Sequence, residues 1–269
     1  MTVALLSRIE RDIAALAGRL APPAAVLSAL DVARRAGIQP DGWQANLLRS
    51  DARQVIMLCS RQAGKSTATA ILAAHQAAFT PGSLTLIVSP SLRQSSELYL
   101  KVRNALDAIG DVLPPHEQEN ATTLRLANGS RVVSLPGSEK TIRGFSAPDL
   151  VIEDESARVD DDTHQSLRPM LAVGRGRLVL LSSAFGRRGH FYETWQNAGP
   201  DWLRVKVTAH DVPRIDPAWL ERERMVIGTW FWEQEYMCVF KAAVDSFFRP
   251  EDVEAMADPG IVPLFSEVA

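Results

Sequence analysis

Short, unbroken apolar runs occupy positions 54–59, 84–88, 150–152 and 178–181, and stretches of helical periodicity such as 65–79 and 91–109 lie between them. Runs of this length, bounded by turn residues, mark strands buried on both faces. Their alternation with helices predicts a mostly parallel sheet with helices on both sides, an α/β architecture. Thr122–Ala127 and Arg131–Leu135 flank Asn128-Gly129, the dipeptide favoured by a two-residue hairpin turn. Leu203–Val207 and Pro217–Ile227 predict one more strand and helix. Ahead of the first strand, Val3–Leu20 and Ala24–Ala36 have helical spacing and are separated by Pro22-Pro23. Pro40-Asp41-Gly42 reads as a turn leading into a short helical segment, Trp43–Leu48. Trp230 to Phe240 is aromatic and helical in pattern, and periodicity fades after Pro250.

Composition narrows the class without choosing a function. Of 269 residues, 46% are hydrophobic and 23% charged, the balance of an ordinary globular chain. Cys59 and Cys238 lie far apart, so neither a disulfide framework nor a cysteine metal cluster is expected, and a reducing, intracellular setting fits. The chain carries no apolar run of membrane-spanning length and no N-terminal signal pattern, so no membrane partner is expected. With a net charge of −3, any nucleic-acid contact must come from local patches.

The chemistry concentrates where the first apolar run ends. Gln54–Ser66 reads QVIMLCSRQAGKS and passes directly into an alanine-rich helical pattern. A strand, a tight loop and a helix N-terminus aim backbone N–H groups and the helix dipole at phosphate. Lys65 then reaches β/γ oxygens and the Ser66 hydroxyl holds Mg²⁺. Gln62, Ala63, Gly64 and Thr67 complete the expected phosphate cradle. The standard spacing puts its first glycine at position 59, where this chain has Cys59.

Hydrolysis needs a metal-holding carboxylate and a base, and Asp149–Glu155, DLVIEDE, supplies both at a strand end. Strand alternation places Asp154 on one face and Glu153 and Glu155 on the other. With this strand beside 54–59, Asp154 reaches the Mg²⁺ shell and Glu155 polarises the attacking water. Glu153 stands where the usual pattern has an apolar residue, which leaves a shifted register open. Leu178–Gly189 is a third strand ending in Ser182, Ser183 and Ala184, whose hydroxyls are candidates for coupling hydrolysis to the rest of the protein.

In this order, the segments resemble the ATPase domain of the large terminase subunit, the DNA-packaging motor of tailed bacteriophages. Asp41-Gly42-Trp43-Gln44 resembles the family's adenine-contacting segment, which implies that Gln44 reads the base. Ser60–Ser66 is similar to its variant phosphate loop, with Arg61 in place of glycine-rich sequence. Ile87-Val88-Ser89-Pro90 with Gln94, and Phe231–Tyr236, resemble later segments, while Ala184 departs from the usual proline. Thr141-Ile142-Arg143-Gly144 lies where the family has an Arg-Gly pair. Arg143 is thus the candidate arginine finger from a neighbouring subunit, with Arg61 the candidate acting in cis.

The resemblance implies a P-loop NTPase of the RecA/ASCE type, ATP and Mg²⁺ as cofactors, and double-stranded DNA, a portal protein and a small terminase subunit as partners. It also implies a homo-oligomeric ring at the procapsid vertex in the host cytoplasm, with the isolated domain monomeric. The expected division is an N-terminal helical segment (1–40), the ATPase core (41–210), a small lid-like subdomain (211–250) and a linker (251–269) toward a nuclease domain that is either excised, the favoured reading, or a separate polypeptide. A helicase would need a second RecA-like lobe, for which the length leaves no room. A non-catalytic nucleotide-binding module would have no need of the Asp154-Glu155 pair. The densest positive pairs, Arg187-Arg188, Arg175 with Arg177 and Arg222 with Arg224, are candidate phosphate contacts; Glu221 and Glu223 are the competing partners of the last pair.

Overall fold

The computed structural model describes residues 26–137, 142, 144–174 and 176–242. The helix expected over Val3–Leu20, the linker, Arg143 and Arg175 lie outside the described residues. The centre is an eight-stranded mixed sheet in the order β3-β4-β5-β2-β6-β7-β1-β8. Its strands are β1 (Gln54–Cys59), β2 (Leu84–Ser89), β3 (His116–Glu119), β4 (Thr123–Leu126), β5 (Arg131–Pro136), β6 (Leu150–Asp154), β7 (Arg177–Ser182) and β8 (Trp202–Val207). From β5 to β8 all neighbours are parallel, and β3-β4 and β4-β5 are antiparallel. The segment holding Asn128-Gly129 joins β4 to β5, but the turn is longer than the two residues expected: the Leu126 N–H donates to the Ser130 carbonyl, and only Gly129 takes a positive φ, 85°.

The expectation that the acidic strand lies beside β1 is corrected: β7 is inserted between them and pairs with both. The two candidate segments still converge, because the parallel strands all end on the same edge of the sheet.

Helices cover both faces. Val55, Met57 and Cys59 point into a core shared with α1 (Ala29–Arg35), α2 (Gly42–Arg49), α3 (Lys65–Phe79) and α4 (Leu92–Asp107). Ile56 and Leu58 point the other way, toward α5 (Asp161–Gly174), α6 (Gly189–Asn197) and the segment holding Cys238 and Phe240. Alanine has the highest helix propensity and the smallest side chain, so the alanine-rich α3 lies close against the sheet, with Ala70, Ala73, Ala74 and Ala77 buried. After β8, α7 (Pro217–Ile227) and α8 (Thr229–Glu235) pack on one another. Helix α7 starts as its sequence dictates, with the Asp216 carboxylate accepting from the Ala218 N–H and Pro217 at the first helical position.

Candidate nucleotide site

At the sheet edge where β1 ends, a cavity of about 780 Å³ is lined by Gly37–Gln39, Gln44, Arg61, Gln62, Gly64–Thr67, Lys101, Glu155 and Arg214. That volume suits a nucleotide-sized ligand. The loop below it is held from behind. The Ser60 N–H donates to the Val207 carbonyl at 2.8 Å, and the Arg61 N–H to the Glu235 carbonyl at 3.0 Å. Gln62 (φ 59°) and Gly64 (φ 88°) both take the left-handed conformation, which turns the chain sharply into α3. The first-turn N–H groups of α3 have no intrahelical acceptor and face the cavity as anion donors.

The sequence-derived loop residues divide into lining and support. Gln62, Gly64, Lys65, Ser66 and Thr67 line the cavity. The Ala63 side chain is fully buried, and its carbonyl accepts from Arg214 Nη2 at 3.1 Å. Cys59, at the position of the missing glycine, is the buried last residue of β1; burial pushes its thiol far above the usual range, so it packs as an apolar residue. Gln44 lines the cavity and is already bonded at both ends. Its Nε2 donates to the Gly64 carbonyl at 3.1 Å, and its Oε1 accepts from the Asp41 N–H at 2.9 Å. One further donor and one acceptor lone pair remain on that amide.

This contact makes Gly64 a sensitive position. A Cβ there meets Gln44 Nε2 at 2.7 Å, and the positive φ adds strain for any L-residue. Gly64→Ala is expected to cost roughly 1–2 kcal/mol of stability and to weaken nucleotide binding. Thermal melts and titration with a fluorescent ADP analogue check both effects.

The acidic pair arrives from β6. Asp154 ends the strand, 7% exposed, and accepts from the Glu155 N–H at 3.1 Å. Burial, reinforced by the Glu155 charge, pushes the Asp154 carboxyl up to about 6, against the pull of Lys65. Ser66 Oγ and Asp154 offer hydroxyl and carboxylate oxygens, a hard donor set that fits Mg²⁺. The expected alternation fails one residue later. Glu155 takes φ 51°, leaving strand geometry for a left-handed turn into the 3₁₀ segment Ser156–Arg158. Its side chain is thereby carried to the phosphate-loop side, with Oε1 3.2 Å from Lys65 Nζ. Left-handed backbone at a non-glycine residue is costly and concentrates at functional sites.

Glu153 takes no part in this site. It is fully buried on the opposite face, where His164 Nδ1 lies 3.0 Å from Oε2 and His190 Nε2 lies 2.6 Å from Oε1. The Ser156 hydroxyl donates to Oε1 at 2.5 Å. Burial would raise the Glu153 carboxyl, but the hydrogen bonds and charge of the two histidines outweigh it and hold it at about 2. His190 Nδ1 meets Asp161 Oδ1 at 2.9 Å, so both ring nitrogens face carboxylates that only accept, and both carry protons. The shifted register, with Glu153 as base, therefore does not fit. Glu153, His164 and His190 bring three ligand atoms within 4.8 Å of one another. The two rings, however, are stacked at 4.1 Å with planes 9° apart. An ion lies in the plane of each imidazole that binds it, and parallel planes share no such point, so the arrangement fits shared protons.

Lys101 and Arg214, which line the cavity, and Arg158 and Glu235, which contact the lining residues Glu155 and Arg61, are unmarked in the sequence as site residues. Arg214 bonds Asp41 Oδ1 at 2.6 Å and bridges to the Ala63 carbonyl. Arg158 Nη1 lies 3.1 Å from Glu155 Oε2, and its Nη2 lies 3.3 Å from Glu235 Oε1. Glu235 Oε2 accepts from Arg61 Nε at 3.1 Å and from Ser183 Oγ at 3.2 Å. Of the coupling candidates, Ser183 thus touches the network, whereas Ser182 and Ala184 are buried beside it. The available signal was Glu235 itself, an acidic residue inside the aromatic stretch Phe231–Tyr236.

The arginine pairs behave mostly as structural groups. Arg187 Nε donates to the Phe240 carbonyl at 3.2 Å, Arg224 lies 3.7 Å from Glu221, and Arg222 lies 3.9 Å from Asp216.

The fold is that of the P-loop NTPases of the RecA/ASCE type. The family model for the terminase large subunit, T4likevirus-type, N-terminal, matches residues 56–255, and the chain belongs to that family. The large terminase subunits of Thermus phage G20c and Thermus virus P23-45 are each 26% identical over 251 residues, covering 81% of this chain and 52% of the relative. The chain thus spans about half the length of the curated relatives it matches. The large terminase ATPase domain of Thermus phage P74-26 superposes with a TM-score of 0.69 at 22% identity, covering 78% of this chain and 97% of that domain. The large terminase of another thermophilic bacteriophage, in complex with ADP, gives 0.64 at 12% identity, over 75% and 54% of the two chains. Among the described residues no helix is long and apolar enough to cross a membrane.

Proposed function

We propose that this chain hydrolyses ATP and that the hydrolysis drives double-stranded viral DNA into a procapsid. The observation that carries the reading is the pairing of Lys65 with Glu155 at 3.2 Å inside a nucleotide-sized cavity at a helix N-terminus. Complexes of that thermophilic phage's large terminase with ADP and with ATP-gamma-S support nucleotide as the ligand.

In this reading Lys65 leaves Glu155 for the β/γ oxygens as nucleotide enters. The freed Glu155 carboxylate takes a proton from the attacking water. Ser66 and Asp154 hold Mg²⁺, which neutralises charge on the phosphates when bound. Arg61 contributes positive charge in cis, and Arg143 contributes it from a neighbouring subunit of a homo-oligomeric ring. Gln44 contacts the adenine with its remaining donor and acceptor, and Gln62, Ala63, Gly64 and Thr67 cradle the phosphates. Ser183, flanked by Ser182 and Ala184, passes the state of the site to α8 through Glu235. The partners are double-stranded DNA, a portal protein and a small terminase subunit, at the procapsid vertex in the host cytoplasm. Phosphate release from Mg-ATP by the purified chain is the test. Turnover above background supports the reading; nucleotide binding with background turnover would make the chain a non-catalytic module instead.

A further inference from the structure

We propose that Arg158 is a positioning residue for Glu155, and that through Glu235 it links the carboxylate to helix α8. The inference rests on the ATPase reading above and assigns a residue that the reading does not use.

Arg158 is fixed at both ends. Its backbone N–H donates to the Glu155 carbonyl at 2.8 Å, closing the turn that follows β6. Its guanidinium lies 4.4 Å over the Phe185 ring. Between these anchors the planar fork addresses two carboxylates at once, Glu155 Oε2 at 3.1 Å and Glu235 Oε1 at 3.3 Å. A guanidinium holds two such acceptors in fixed directions, whereas an ammonium is a single point charge on a flexible stem. Glu235 closes the circuit, since its second oxygen accepts from Arg61 Nε and its backbone carbonyl accepts from the Arg61 N–H.

Glu155 therefore has one oxygen on Lys65 and the other on Arg158. Once Lys65 turns to phosphate, Arg158 is the cation left to define where the carboxylate points. Without it, a carboxylate on a rotatable side chain in a polar cavity has no fixed direction, and misplacement by about 1 Å is enough to cost roughly 10²-fold in rate. The same cation is shared with Glu235, so a shift of α8 changes how firmly Glu155 is held. An ordinary solvent-facing ion pair would have no such effect, because such pairs contribute little. Arg158 is 26% exposed and Glu235 16%, and each has more than one partner.

The experiment compares kcat, KM for ATP, affinity for a fluorescent ADP analogue and melting temperature across wild type, Lys65→Ala, Arg158→Ala, Arg158→Lys and Glu235→Gln. Arg158→Ala is expected to lower kcat by about 10²-fold while KM and affinity stay within about threefold. Arg158→Lys should recover only part of kcat, since it cannot hold both carboxylates. Glu235→Gln should lower kcat by less, and the double variant Arg158→Ala/Glu235→Gln should be no slower than Arg158→Ala alone. The inference is overturned by wild-type kcat in Arg158→Ala, by affinity falling in step with kcat, or by additive losses in the double variant. If Arg158→Ala does not fold, the kcat losses of Arg158→Lys and Glu235→Gln at unchanged affinity decide, and wild-type rates in both reject the proposal. A wild type that turns over ATP while Lys65→Ala does not keeps the ATPase reading intact even if Arg158 fails. A wild type without turnover removes both.

Discussion

Glu155→Gln is expected to lower ATP turnover by about 10²–10⁴-fold while Mg-ATP still binds, because the amide fits the same space but cannot take a proton from water. The structure makes this a clean substitution. Glu155 already sits in a left-handed turn, and glutamine carries the same backbone preference and length. Its Oε1 can still accept from Arg158 or Lys65, which lie 3.1 and 3.2 Å from the carboxylate oxygens. Glu153→Gln is the matched control two residues away. It is expected to lower the melting temperature, with any rate loss following the folded fraction, since Glu153 faces His164 and His190 across the sheet from the cavity. Phosphate-release kinetics beside equilibrium binding separate the two variants. A dead Glu153→Gln with an active Glu155→Gln would reverse the assignment of the base.

His190→Ala is expected to destabilise the fold by about 3–5 kcal/mol, the range for removing one partner of a buried ion pair. The loss leaves the fully buried Glu153 carboxylate without its 2.6 Å donor and takes the ring from Asp161, which keeps only the backbone N–H of residue 190 at 2.7 Å. The pH dependence follows from the two shifts. Burial lowers the His190 value, but bonds to Glu153 and Asp161 outweigh it and raise the value above the ordinary 6.5. That contribution is complete below about pH 6.5 and is lost as pH rises through the raised value. Glu153, held at about 2 against an ordinary 4.5, contributes fully above 4.5 and loses its share as pH falls toward 2. Urea unfolding of wild type and His190→Ala should therefore show the largest gap between about pH 4.5 and 6.5, narrowing on both sides. A gap that does not change with pH would mean that His190 acts through packing alone.

Much of this site was legible in the chain because it is contiguous. Helix α3 occupies Lys65–Phe79, matching the 65–79 pattern, since alanine propensity and the Gly64-Lys65-Ser66 loop are local signals that nothing distant overrides. The place of the β4–β5 turn, at Asn128-Gly129, was readable for the same reason. Helix α5 was not. Its run DDTHQSLRPMLAVG mixes polar residues with an internal proline, Pro169, and its apolar face is only Leu167, Met170 and Leu171. Strand β3, His116–Glu119, is exposed and has no apolar period at all; its hydrogen bonds to β4 define it.

Sequence alone determined which chemical groups are present and where each strand delivers its end: Lys65 and Ser66 after β1, Asp154 at the end of β6 with Glu155 following, Ser183 after β7. Short-range periodicity and turn chemistry carry that information along the backbone. Tertiary structure decided which of these groups meet. It set β7 between β6 and β1, swung Glu155 through a left-handed turn onto Lys65, and turned Glu153 away to two histidines. It also brought Glu235 to Arg158 across 77 positions and to Arg61 across 174. Contacts at such separations leave no periodic trace in the chain, because only the assembled sheet and the Arg61 N–H bond to the Glu235 carbonyl at the end of α8 fix the distance between them.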